Sequence, residues 1–193
     1  MGAYENSNSG STAPLPVSGL TVKRATAGAI LNWSKNKESL SSSTDAANIQ
    51  YQIYQNGTNV AQTTNTTYTV TGLSNGTTYS FTVSAKNTST SVEGAQSGAK
   101  TVTPRYQGPK WYVAVSGGGK ALSDTLTNYN LGTASSPINH LSNAIEIAAN
   151  RDTIVMMKGT HTGTSNRGIN FNGGKELVIT GDLDYSADQT IID

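Results

Sequence analysis

Short runs that alternate apolar and polar residues, each broken by a turn signal, fill the first half of the chain. Leu20–Val22, Ala29–Trp33, Ile49–Tyr54, Thr67–Val70, Tyr79–Ala85 and Thr101–Thr103 are rich in β-branched and aromatic residues. They recur at intervals of roughly 8–12 residues, the rhythm of an all-β sandwich or barrel. Ile49, Tyr51 and Ile53 alternate with glutamines, and Asn56-Gly57 then marks a tight hairpin turn. Tyr79, Phe81, Val83 and Ala85 share one face of the clearest run, with small polar residues on the other. No stretch of helical period interrupts this half.

The pattern changes after the short linker that begins at Pro104. Trp111–Val115 predicts a strand, closed by Ser116-Gly117-Gly118-Gly119, and a polar loop runs on to Pro137. Ile138–Asn150 then has helical period: Ile138, Leu141, Ile145 and Ala148 share a face, with Asn143 and Glu146 opposite. Asp152–Met157 predicts a buried strand ended by Gly159, and short runs follow at Ile169–Phe171, Leu177–Ile179 and Thr190–Ile192. One helix leading into short strands and tight turns predicts a parallel β-helix entered through a capping helix. A coil of such a solenoid cannot bury its apolar face alone, so its first coil needs a lid.

Composition supports a β-rich reading. Thr, Ser and Asn number 27, 22 and 18 of the 193 residues, while only 13% are charged. Thr suits a pleated surface, and Asn favours turns. The net charge of +1 excludes a strong electrostatic footprint for nucleic acid. The absence of Cys removes disulfides, thiolate metal sites and Cys nucleophiles together. No apolar run approaches the roughly 20 residues of a membrane span. The start of the chain is rich in Ser, Asn and Gly and is expected to be a linker. The chain stops within a strand-like run, which is expected of a fragment of a longer protein.

Pro14 and Pro16, Trp33, the run Tyr51–Gly57, and above all Leu73-Ser74-Asn75-Gly76-Thr77-Thr78-Tyr79 running on to Ala85, resemble a fibronectin type III domain. The resemblance implies that Leu73 and Tyr79 form a tyrosine corner, in which the hydroxyl bonds back to the backbone. Lys35–Asn48 is longer than the usual connection there and is expected to bulge as a loop. The second half resembles the N-terminal entry of right-handed β-helix proteins of the pectate-lyase-like superfamily. The residues that carry this are Tyr112-Val113, Ser123-Asp124, Asn130-Leu131-Gly132, Pro137, Ala144, Ala148, Asp152-Thr153-Ile154, Gly159–Thr162, Gly173-Gly174-Lys175 and Thr190–Asp193. His161 stands where that family usually has Tyr. In its enzymes the catalytic and Ca²⁺-binding acidic residues sit on later coils, so none is carried over here. The expected architecture is therefore mainly β. Residues 1–13 are a linker, 14–104 a fibronectin type III β-sandwich, 105–110 a second linker, and 111–193 the helix-capped start of a right-handed parallel β-helix.

Candidate chemistry is sparse. Asp182, Asp184 and Asp188 could hold Ca²⁺ through hard oxygen ligands, but they lack the EF-hand pattern and read more simply as a solvated turn. No other cofactor is expected. His140 and His161 are the only histidines and show no zinc-ligand spacing. Ser116–Lys120 lacks the spacing of a phosphate-binding loop. Trp33 reads as a core residue between two sheets rather than a sugar-stacking platform; Trp111 and Tyr112 are read as packing residues, with a sugar platform as the alternative. Asn32, Asn56, Asn65, Asn75 and Asn87 begin glycosylation sequons, as chance allows in a chain this rich in Asn and Thr. The structural residues expected are Trp33, Leu73 and Tyr79 in the sandwich and Ile138, Leu141 and Ile145 in the lid.

Two functions compete. In the first, the chain is a non-catalytic module of a secreted or surface-attached bacterial protein, serving as a spacer or in adhesion or assembly. In the second, it is the N-terminal part of an extracellular polysaccharide lyase or glycoside hydrolase whose active site lies beyond residue 193. No catalytic residue is expected within these residues under either. The expected partners are later coils of its own protein or another copy at the open solenoid end, together with polysaccharide.

Overall fold

The computed structural model describes residues 13–37, 48–115, 118–166, 174–182 and 190–192. They fall into two compact units divided in sequence between Thr103 and Pro104, with the turns Ala25–Ala27 and Leu73–Thr77 grouped with the second.

The first unit is antiparallel. Its strands are β1 (Thr21–Ala25), β2 (Gly28–Asn32), β3 (Ile49–Gln55), β4 (Thr58–Thr63), β5 (Thr67–Thr71), β6 (Tyr79–Asn87) and β7 (Lys100–Val102). They form one sheet in the order β1-β2-β5 and another in the order β4-β3-β6-β7. The β3–β4 hairpin closes at Asn56-Gly57, where both residues adopt positive φ (50° and 83°), as a two-residue turn requires. The core comes from alternate positions. Leu31, Ile53, Phe81, Val83 and Ala85 are fully buried, and Trp33 packs edge-on against Tyr51 with ring centroids 5.3 Å apart. Tyr51 accepts a hydrogen bond from the Asn36 amide at 2.8 Å, which gives its buried hydroxyl a partner. The sequence pattern missed β4, which is mostly exposed. Most of the Lys35–Asn48 connection lies outside the described residues.

The second unit is built on parallel pairing. Among the described residues its strands are β8 (Lys110–Val113), β9 (Thr153–Met156), β10 (Gly159–His161), β11 (Val178–Gly181) and β12 (Thr190–Ile192), with one helix α1 (Leu141–Ile147) and a 3-10 turn at Leu122–Leu126. One parallel sheet has the order β11-β9-β8, and β10 pairs in parallel with β12. The register places Trp111, Ile154 and Ile179 in one row and Val113, Met156 and Gly181 in another. All but Gly181 belong to one apolar cluster with Leu131, Ile138, Leu141, Ala144 and Ala148. Rows that share a face in this way are the expected consequence of in-register parallel strands with a period of two.

The helix is shorter than its apolar pattern suggests. Ile138 lies outside it: the Ile138 amide donates to the Tyr112 carbonyl and its carbonyl accepts from Ala114, both at 2.8 Å. Ile138 therefore extends the β8 edge by a bridge, and its helical spacing from Leu141 is coincidental. His140, in extended conformation, precedes the first helical residue; Ala148 returns to extended conformation after the last. The Lys175 ammonium donates to the Ile145 and Glu146 carbonyls at 2.9 Å each, satisfying acceptors the helix end leaves open. Leu141 and Ala144 are buried, and Ile145 is half-buried against the same cluster. Gly159–His161, where the sequence pattern marks only the end of the preceding strand, forms a further strand. The run Ile169–Phe171 lies outside the described residues.

Candidate functional site

Strand β8 carries Trp111 into the apolar cluster, and the polar surroundings of this ring define the most organised site of the second unit. The indole Nε1 donates to Asp152 Oδ2 at 2.7 Å, and the same oxygen accepts from the Ala149 amide at 2.8 Å. One carboxylate thus joins the ring, the segment after α1 and the start of β9. Gly132 lies so close to the Trp111 ring that a Cβ there would overlap it. Tyr106 meets Trp111 edge-on at 5.2 Å, and its hydroxyl donates to the Lys110 carbonyl. Burial pushes the Tyr106 phenol up; the bond to Lys110 opposes this, and Tyr112 and Asp152 charge adds to it. The Arg105 guanidinium lies 5.0 Å from the centroid of the Tyr129 ring, while its Nε is buried without a hydrogen-bond partner. Between these groups is a cavity of about 300 Å³, with Trp111, Leu131, Ile147 and Ala149 forming its apolar wall and Arg105, Tyr106, Gln107 and Asn128 its polar side.

Trp33 is 6% exposed and lines the sandwich core. Leu73 is buried and its amide donates to the Ala27 carbonyl; Tyr79 opens β6 opposite Val102. Trp111 is also only 6% exposed, so it is no open sugar platform, and its indole N–H is already engaged. The Tyr112 ring sits 5.4 Å from the Lys110 ammonium. Asp182 continues the β11–β9 ladder through its amide, which donates to the Met156 carbonyl at 3.0 Å. Asp184 and Asp188 lie outside the described residues, as do Ser116 and Gly117. Among the described residues no three His, Asp or Glu side chains cluster as metal ligands. His161 is fully buried, with Nε2 2.7 Å from the Met157 carbonyl.

Asn166 escaped the sequence reading. It is 1% exposed, its Oδ1 accepts the Leu141 amide at 2.8 Å, and its Nδ2 donates to the Thr162 carbonyl at 2.9 Å. It therefore satisfies the first amide of α1 from a loop 25 residues downstream. No local spacing reveals such a partner, because capping signals lie at the helix start itself.

Two curated relatives align with part of the chain. One is Chitinase D of Niallia circulans, 42% identical over 69 residues, which are 33% of this chain and 13% of that protein. The other is Chitinase Chi52 of Paenibacillus xylanexedens, 35% identical over 111 residues, which are 53% of this chain and 20% of that protein. The chain thus spans a fifth or less of either. Among solved structures, the fibronectin type III domain of human fibronectin type III domain containing protein 3 covers 50% of this chain and 91% of its own, at 23% identity and a TM-score of 0.42. The family model of the fibronectin type III domain matches residues 15–98, and this stretch, with its two antiparallel sheets, is a fibronectin type III domain.

Proposed function

We propose that this chain is a non-catalytic module of an extracellular bacterial carbohydrate-active protein, in which the fibronectin type III domain is a spacer before a right-handed parallel β-helix. The observation that carries the functional part is the 35–42% identity to segments of two bacterial chitinases. The β-helix part rests on the parallel ladders. Consecutive strands β9 and β10 pair with β11 and β12 in the same order, as successive coils of a solenoid do. In this reading α1 is the lid of the first coil, Leu141, Ala144 and Ile145 close its apolar end, and Tyr79 forms the tyrosine corner of the sandwich. Polysaccharide-cleaving residues, where the whole protein has them, lie outside these 193 residues.

The test is to incubate the chain with insoluble chitin and with polygalacturonate. Release of reducing ends and of unsaturated product is followed, with and without EDTA. The expected result is no product under any condition. Turnover that a point substitution within these residues abolishes would contradict the proposal.

A second reading has its own observation. Among the described residues β11 ends its sheet, and Val178 on it is 57% exposed, so this edge offers backbone groups to a further strand. Later coils or a second copy of the chain would pair there.

A further inference from the structure

We propose that the cavity beside Trp111 binds a small carboxylate with a flat apolar body, held by the Arg105 guanidinium. At about 300 Å³ the cavity has the size of a small-molecule site. Its wall of Trp111, Leu131, Ile147 and Ala149 suits a ring or a branched alkyl group.

The polar side is selective because most of its groups are already engaged. The Trp111 indole donates to Asp152, and the Tyr106 hydroxyl to the Lys110 carbonyl. The Asn128 side chain donates to Ser136 and accepts from the Asn130 amide. The Gln107 side-chain nitrogen donates to the Tyr106 carbonyl at 3.1 Å. Arg105 differs. Its Nε is buried without a hydrogen-bond partner, and among the described residues it forms no ion pair, the exposed Arg151–Glu176 pair lying elsewhere. The face of the Tyr129 ring supports the guanidinium, and Arg105 is the cationic residue among those lining the cavity. A guanidinium edge matches the two oxygens of a carboxylate, and a desolvated setting strengthens that pair. A neutral sugar fits less well, since its hydroxyls would lose water and find few free partners. The inference is independent of the spacer function.

The test follows the Trp111 indole N–H in ¹H–¹⁵N correlation spectra at pH 7 and fixed ionic strength, with benzoate, benzamide and N-acetylglucosamine as probes. Benzoate is expected to shift the signal saturably, with half-saturation on the order of 1 mM. Arg105→Gln should weaken this about tenfold without loss of spectral dispersion, and benzamide should bind about tenfold more weakly than benzoate, as loss of a charge-assisted pair predicts. Ala149→Leu, which fills the cavity and leaves Arg105 in place, should remove the shift. The proposal is overturned by any of three results: no saturable shift with benzoate, equal shifts with benzoate and benzamide or in Arg105→Gln, or a saturable shift with N-acetylglucosamine at the same concentration.

Discussion

Asp152 engages two buried donors through a single oxygen, the indole of Trp111 and the amide of Ala149. Hydrogen bonds to a charged acceptor contribute more than neutral ones, and removing the acceptor strands both donors. Asp152→Ala should therefore destabilise the second unit by about 3 kcal/mol in urea unfolding followed by Trp fluorescence, with Asp152→Asn retaining part of the loss. An unchanged midpoint in the alanine variant would show that water replaces the carboxylate. Tyr106 makes a pH prediction at the same scale. Its folded-state pKa is raised, chiefly by burial, so the folded state holds the phenol proton more tightly than the unfolded chain. The associated stability is fully present below the unfolded value of about 10 and is lost as pH rises through the higher folded value. Thermal melts at increasing alkaline pH should show Tyr106→Phe losing less stability than the parent; parallel losses would remove Tyr106 as the cause.

At the scale of elements, α1 has only seven residues, too few to hold a helix by its own bonds. Its ends are fixed from outside, by Asn166 at the first amide and Lys175 at the last carbonyls. Asn166→Ala should cost about 1–2 kcal/mol, as loss of an N-terminal cap does, and should raise amide exchange across Leu141–Ile147 first. Uniform exchange throughout the unit would argue against a local capping role. This dependence on distant residues explains what sequence showed and what it hid. β6 was legible because Tyr79, Phe81, Val83 and Ala85 alternate on one buried-facing side. β4 was not, because Thr58–Thr63 is a mostly exposed edge strand with no apolar alternation to mark it. Ile138 was misplaced because the interval from Ile138 to Leu141 fits a helix, while its backbone bonds go to β8. The Trp111 cavity was invisible because Arg105, Asn128 and Ile147 come together only through the fold.

At the scale of the whole molecule, the chain combines two ways of stabilising β-structure. The fibronectin type III domain buries alternate residues between antiparallel sheets, with Phe81 at its centre. Phe81→Ala should cost about 3–5 kcal/mol in chemical unfolding, the usual range for a buried aromatic. The second unit instead stacks rows of side chains along parallel strands. If the exposed edge at β11 recruits a second copy, light scattering should show mass rising with concentration, and Val178→Lys should suppress the rise; a concentration-independent monomer would exclude that pairing. The most direct test of the account is the register itself. Interstrand backbone NOEs in a uniformly labelled sample should connect Trp111 with Ile154 and Ile154 with Ile179, and Thr160 with Ile191, in the parallel pattern. An antiparallel pattern, or no contact between 153–156 and 178–181, would contradict it.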